Sequence, residues 1–296
     1  MNKTTKFILL QASVVFNNQI SFFDGRYEDN KAGRNKAFRD TIDKLIEKKI
    51  VKINPKIAEY VLLYKTKIQD DIVYCQLAKR TQMDAYNLQE DTIKKEAIDS
   101  YPPLDVFINL EQQKFAVELN TSLLAESALE NNIKNLINSL AKDFSIFINT
   151  IQDQKEFWDL VSEDDSVQEI SFDLIVPNLF NATGAANDLV SDAKETLNAD
   201  SVGISFKNKT GGLKATFESI DSFVKYSSAT GSWKLKIKQA GQTKYKVIKS
   251  TNVCQKKEIE SDILELVRKI DSNWQVSSDV YDGLLENIIG LFSNEE

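Results

Sequence analysis

From Ser232 to Ser250 the chain reads SWKLKIKQAGQTKYKVIKS, and apolar and polar residues alternate along most of it. Trp233, Leu235 and Ile237 alternate with Lys234, Lys236 and Lys238, and Tyr245 and Val247 alternate with Lys244 and Lys246. Period two predicts two half-buried strands. A two-residue turn at Ala240-Gly241 would bury the lysines of one strand, because a one-residue slip exchanges the faces. A three-residue turn, Gln239-Ala240-Gly241, keeps both apolar sets together and puts Gly241 where this turn class takes a left-handed residue. It sets Lys238 opposite Gln242, Lys236 opposite Lys244 and Lys234 opposite Lys246. Trp233, Leu235 and Ile237 then face Val247, Tyr245 and Thr243. Like charges opposed in a ladder cost roughly 0.2–1 kcal/mol per pair, and a polyanion lying across the face would reverse that sign.

Upstream, Lys6–Phe16 alternates as a strand, with Ile20–Phe23 a possible partner, and Asp24–Arg34 is a polar loop. Lys36–Lys49 places Phe38, Ile42, Leu45 and Ile46 on one helical face. Strands are expected at Ile57–Ile68, Ile72–Thr81, Asp105–Leu110, Lys114–Leu119 and Phe144–Ile151. Met83–Ser100 is acidic and weakly periodic, and reads as a short surface helix with a loop. The best helical stripe is Leu129, Ile133, Leu136, Ile137 and Leu140, within Ala125–Lys142, with Thr121 or Ser122 as its cap. A short amphipathic helix follows at Glu156–Val161, and the acidic turn Ser162–Ser166 suggests a domain boundary.

The second half is expected to run strand (Gln168–Val176), helix (Asp188–Leu197), strand (Val202–Lys207), helix (Phe217–Tyr226) and lysine hairpin. Two helical stripes close it, Ile259 to Ile270 and Val280 to Phe292. Short turns favour antiparallel pairing. The expected class is α+β in two domains, 1–163 and 164–296.

Charge sharpens this outline. Phe206–Lys257 holds twelve lysines against Glu218 and Asp221, +12 − 2 = +10, in a chain of net charge −7, so the remainder sums to −17. Such polarisation speaks of partners rather than fold. The candidate phosphate contacts are Lys207, Lys209, Lys214, Lys234, Lys236, Lys238, Lys244, Lys246 and Lys249. The competing explanation is a solvated strand face, or an edge protected by lysine against aggregation. Histidine is absent, which excludes histidine-dependent triads and general bases, and with only two cysteines no zinc site can be assembled. Two isolated cysteines point to a reducing cytoplasm, with Cys75 a small buried hydrophobe. No apolar run is long enough to span a membrane, and the N-terminus reads as mature protein.

Other motifs have ordinary explanations. Gly211-Gly212-Leu213-Lys214 lacks P-loop spacing and reads as a turn whose lysines could touch a phosphate. Asp105, Glu111, Lys114 and Glu118 faintly resemble the acid-acid-lysine cluster of restriction-type nucleases. The acid and lysine stand three apart across a turn rather than two apart on one strand, so a solvated hairpin tip explains them better. Trp233, Tyr245 and Tyr226 could stack on bases, but alternation assigns Trp233 and Tyr245 to the core. The stripe Val280, Leu284, Leu285, Ile288, Ile289 and Phe292 suits core packing or a dimer contact.

The succession of an α+β N-terminal part, VELN (117–120), a long helix, an apolar strand, ISFDLIVPN (170–178), a Gly-Gly turn and a lysine-rich strand region with a closing helix resembles a known layout. It is that of the RexA-type phage-exclusion proteins and of bacterial proteins linked to phage defence, and it extends from residue 1 to about residue 270. The resemblance implies a dimeric, two-domain, sequence-tolerant DNA-binding protein of abortive infection, and it carries over no catalytic residue. The expected function is non-enzymatic nucleic-acid binding, DNA before RNA, with no cofactor or metal. The alternatives are a protein-interaction subunit of a defence or regulatory assembly, or a carboxylate-and-Mg²⁺ nuclease.

Overall fold

The structure, a computed structural model, describes residues 3–16, 27–28, 30–54, 58–89, 92–142, 144–161, 166–176, 184–208, 212–214, 216–238, 242, 244–270 and 278–293. The class is α+β with antiparallel sheets. The chain forms two compact units, one of residues 1–7, 39–142 and 257–296, the other of residues 8–38 and 143–256. Both units are discontinuous, so the chain passes between them at 7/8, 38/39, 142/143 and 256/257, whereas the sequence suggests one passage near residue 163. One long strand, β1 (Thr4–Phe16), supplies residues to both units, which no local acidic turn could reveal.

The first unit is built on a sheet of strand order β14-β1-β8-β7-β4-β3-β2. Its strands are β2 (Ile50–Ile53), β3 (Tyr60–Gln69), β4 (Ile72–Lys79), β7 (Pro103–Asn109), β8 (Lys114–Glu118) and β14 (Lys256–Glu260). β4, β7 and β8 bury nearly every residue, which is why they read as apolar runs rather than alternating ones. Helix α1 (Lys31–Lys48) contributes Ile42 and Leu45 to this core, and α2 (Glu126–Asn138) packs against β2 and β3 with Leu129, Ile133, Leu136 and Ile137 buried. The α2 N-cap is Ala125 without a side-chain cap, not Thr121 or Ser122; those two stand in the preceding turn, where Asn120 accepts hydrogen bonds from Ser122.

Met83–Ser100 departs from expectation. It is a two-stranded antiparallel hairpin of β5 (Thr81–Gln89) and β6 (Thr92–Ser100). Its alternation is hidden because neither face is buried, so polar residues occupy apolar phases. Ion pairs Arg80–Asp99 and Lys95–Asp84 tie its strands. The first C-terminal stripe also begins differently: Ile259 belongs to β14, and α6 is Ser261–Arg268. The last helix, α7 (Ser278–Phe292), packs against α6 and β8, with Leu284, Ile288, Leu291 and Phe292 buried. Half of the stripe suited to a dimer, Leu284, Ile288 and Phe292, is therefore core of this unit, while Val280 and Ile289 are exposed. Cys75 is wholly buried, and burial pushes its thiol pKa up. The sequence expectations at Ile20–Phe23 and Gly211 lie outside the described residues.

The second unit contains a four-stranded sheet of order β11-β10-β12-β13. The strands are β10 (Ser166–Ile175), β11 (Ser201–Lys207), β12 (Gly231–Lys238) and β13 (Lys246–Lys249). Its inner face carries Ile170, Phe172, Leu174, Trp233, Leu235, Ile237 and Ile248. Helix α5 (Phe217–Ala229) lies on β10 and β12, with α4 (Ala185–Leu197) beside it. α3 (Gln154–Leu160), capped by the Asp153 carboxylate, sets Phe157 edge-on to Trp233 at 5.0 Å between ring centres. Strand β9 (Phe144–Thr150) pairs with β1 from Leu10 to Phe16.

Gly231 starts β12 where no side chain fits, because a Cβ would stand 2.2 Å from the Asp173 carbonyl oxygen. Gly231→Ala must therefore push β12 off β10, and the cost is expected to be about 1–3 kcal/mol, as for overpacking a core. A thermal melt of the variant checks this, and an unchanged melting temperature would contradict the close approach.

Candidate nucleic-acid interface

The outer face of the second-unit sheet is set by the phase of its apolar residues. With Ile170, Phe172 and Leu174 inward, β10 turns Glu169, Ser171 and Asp173 outward. With Trp233, Leu235 and Ile237 inward, β12 turns out Lys234, Lys236 and Lys238. Across the ladder, Lys236 lies opposite Glu169, Lys234 opposite Ser171 and Lys238 opposite Ser166. On β11, Lys207 lies opposite Glu169 and Ser205 opposite Ser171.

On β13 the observed register differs from the expected one. Lys234 faces Lys249, Leu235 faces Ile248, Lys236 faces Val247 and Ile237 faces Lys246. Lys234 is thus three residues away from the expected partner Lys246, and the three-residue turn 239–241 lies outside the described residues. An odd slip exchanges the faces of one strand. Val247 and Ile248 are adjacent, so only one of them can point into the core. Ile248 takes that place, and Ser250 beyond it accepts a hydrogen bond from the Trp233 N–H. Tyr245 and Val247 consequently leave the core, 42% and 48% exposed, contrary to the alternation reading. Trp233 stays buried as expected, and Tyr226 is buried too, its hydroxyl donating to the Ile175 carbonyl at 2.8 Å.

The expected lysine set is therefore partly assembled. Lys234, Lys236, Lys238 and Lys249 share the outer face of β12 and β13. Among the described residues none of them is in an ion pair with a carboxylate. The Lys236 ammonium stands 5.3 Å from the centre of the Tyr245 ring. Lys207 is on the same face but is tied to Glu169 at 3.2 Å. Glu169 lies below the ordinary carboxylate range. Desolvation pushes it up, and the hydrogen bonds from Lys207 and Ser171, with the charges of Lys207 and Lys234, outweigh that. Lys246 opposes Ile237 at the strand start and Lys244 precedes the strand, so neither joins the expected lysine ladder. Lys214 is exposed on a segment held to the Val167 carbonyl by the Leu213 N–H, next to Ser166, the partner of Lys238. Lys209 lies outside the described residues.

The nuclease-like residues of the first unit do not form a cluster of that kind. Asp105 is 1% exposed and accepts from the Tyr74 hydroxyl at 2.6 Å, the Gln76 amide at 3.3 Å and Arg268 Nε at 2.7 Å. Glu118 accepts from Arg268 Nη2 at 3.3 Å and from the Asp105 N–H at 3.0 Å. Burial and the Asp105 charge keep the Tyr74 phenol protonated, so it serves as a donor. Lys114 donates instead to the Phe292 carbonyl at the end of α7, where burial and Lys257 lower its pKa, and Glu111 is exposed in the β7–β8 turn. Sequence reading missed Arg268, because the helix pattern around it carries no sign of two carboxylates more than 100 residues earlier. Among the described residues no group of three His, Cys, Asp or Glu side chains could hold a metal ion, and no helix is long and apolar enough to cross a membrane.

No protein-family model matches the chain, and no curated protein sequence matches it.

Proposed function

We propose that this chain binds nucleic acid without sequence preference through the outer face of β12 and β13. The carrying observation is the convergence of Lys234, Lys236, Lys238 and Lys249 on one face, none in an ion pair among the described residues and two of them directly opposed across the ladder. Opposed ammonium groups are destabilising until an anion lies over them. Flexible lysines act as point charges on phosphate rather than as readers of base edges. Glu169 and Asp173 on β10 border the cationic strip and confine a polyanion to β12 and β13. The resemblance to RexA-type phage-exclusion proteins supports placing this activity in a bacterial antiphage or abortive-infection system, acting as a homodimer on DNA in the cytoplasm, without an enzymatic step.

The test is affinity for a generic labelled oligonucleotide as salt is raised. Three to four phosphate contacts predict a log–log slope of about −2 to −4. A salt-independent affinity, or no binding at 50 mM salt, would remove the proposal.

A second reading, a protein-interaction subunit, is favoured by the β5–β6 hairpin, which exposes Met83, Tyr86, Ile93 and Ile98. An isolated hairpin is marginal in water and gains from a partner. Salt-insensitive self-association or capture of a protein partner through this hairpin, without nucleic-acid binding, would favour that reading.

A further inference from the structure

We infer that the β12–β13 face takes an unpaired strand, with one base stacked on Tyr245 and its flanking phosphates on the lysines. The inference rests on the binding reading above and names the form of its ligand. Three observations carry it.

First, the register of β13 brings an aromatic ring and an aliphatic side chain out among the cations. Val247, opposite Lys236 on β13, and Tyr245, just before that strand, are both well exposed. A phosphate backbone has no use for such apolar surface, whereas an unpaired base has a π-face to lay on it. Lys236 places its ammonium over the Tyr245 ring, 5.3 Å from the ring centre, and Tyr245 remains exposed enough to meet a base.

Second, the dimensions disfavour a duplex. Four strands span roughly 14 Å between the outermost backbones. The major groove is about 12 Å wide and admits a helix or a two-stranded ribbon, not a four-stranded sheet backed by helices. A duplex could only rest on the outside of this face and would touch few of its lysines at once. A flexible single strand can follow the strip.

Third, the charges set a path. Glu169 is held by Lys207 on the β11 side, so the cations that form no ion pair among the described residues lie along β12 and β13. Tyr245 stands where that path enters β13. Neither contact reads a base, so single-stranded DNA and RNA share this chemistry, and only the 2′-hydroxyl could separate them.

The experiment compares fluorescence anisotropy of the full chain with dT15, rU15 and a blunt duplex at equal salt, for the unchanged protein, Tyr245→Ala and Tyr245→Phe. The expected result is at least tenfold tighter binding of the single strands. Tyr245→Ala should lose roughly tenfold on them and little on the duplex, and Tyr245→Phe should restore it. A dT15 preference over rU15, or the reverse, identifies the source of the strand. Equal or tighter duplex binding, or an unchanged single-strand affinity in Tyr245→Ala, overturns the inference and leaves lysine-dependent binding standing. Absence of binding to all three probes removes both readings.

Discussion

Joint replacement of Lys234, Lys236 and Lys249 by Glu is expected to weaken nucleic-acid binding at least a hundredfold at low salt. At 4 Å in water each phosphate contact is worth about 1 kcal/mol, and reversal turns each into about 1 kcal/mol of repulsion. The three positions together swing about 6 kcal/mol before screening, so a loss of two or more decades survives moderate ionic strength. Replacement of the same three by Gln separates binding from folding. It relieves the Lys234–Lys249 opposition, worth roughly 0.2–1 kcal/mol, so the melting temperature should hold or rise while affinity falls. The salt slope should flatten by roughly 2 to 3, one phosphate per lysine. Anisotropy titrations beside thermal melts check both, and retained affinity in the Glu variant would dismiss this face as the contact.

Arg268→Ala is expected to cost about 3 kcal/mol of stability at neutral pH, the lower end for breaking a buried ion pair, because Arg268 itself is 34% exposed. The loss comes from what remains: two adjacent carboxylates, Asp105 and Glu118, without their shared cation. Glu118 already lies above its ordinary value. Burial raises it, the Asp105 N–H lowers it, the Asp105 charge raises it and Arg268 lowers it. A raised carboxylate binds its proton more tightly in the folded state. Its contribution to stability is therefore present below the unfolded carboxylate range and is lost as pH rises through the folded value. Removing Arg268 removes a lowering influence, so the deficit of the variant is largest at pH 7 and shrinks as acid protonates Glu118. Urea melts of both proteins at pH 7 and pH 5 test this. A deficit equal at both pH values would assign the loss to packing instead. Glu265→Ala, which removes only the exposed i,i+3 partner, should cost about 0.5 kcal/mol or less.

The pattern of side chains foretells local structure best where one face of an element is buried. The helical stripe of α2 and the alternation of β10 and β12 were legible for that reason. The β5–β6 hairpin was not, because a ribbon exposed on both sides is free of the constraint that makes alternation visible. The lysine face was half legible. The phase of β12 followed from Trp233, Leu235 and Ile237, and with it the outward direction of Lys234, Lys236 and Lys238. The phase of β13 did not follow, since Val247-Ile248 allows either choice and the nearest turn suggested the wrong one.

Composition and periodicity alone determined the α+β class, the lack of histidine chemistry and the concentration of positive charge between Phe206 and Lys257. Each of these is a property of a residue type or of its immediate neighbours. Only the tertiary structure decided which lysines stand together, that Tyr245 joins them, that Glu169 neutralises Lys207, and that Arg268 serves Asp105 and Glu118. These are pairings between segments far apart in the chain, and competition for places in the core selects among registers that are nearly equal locally.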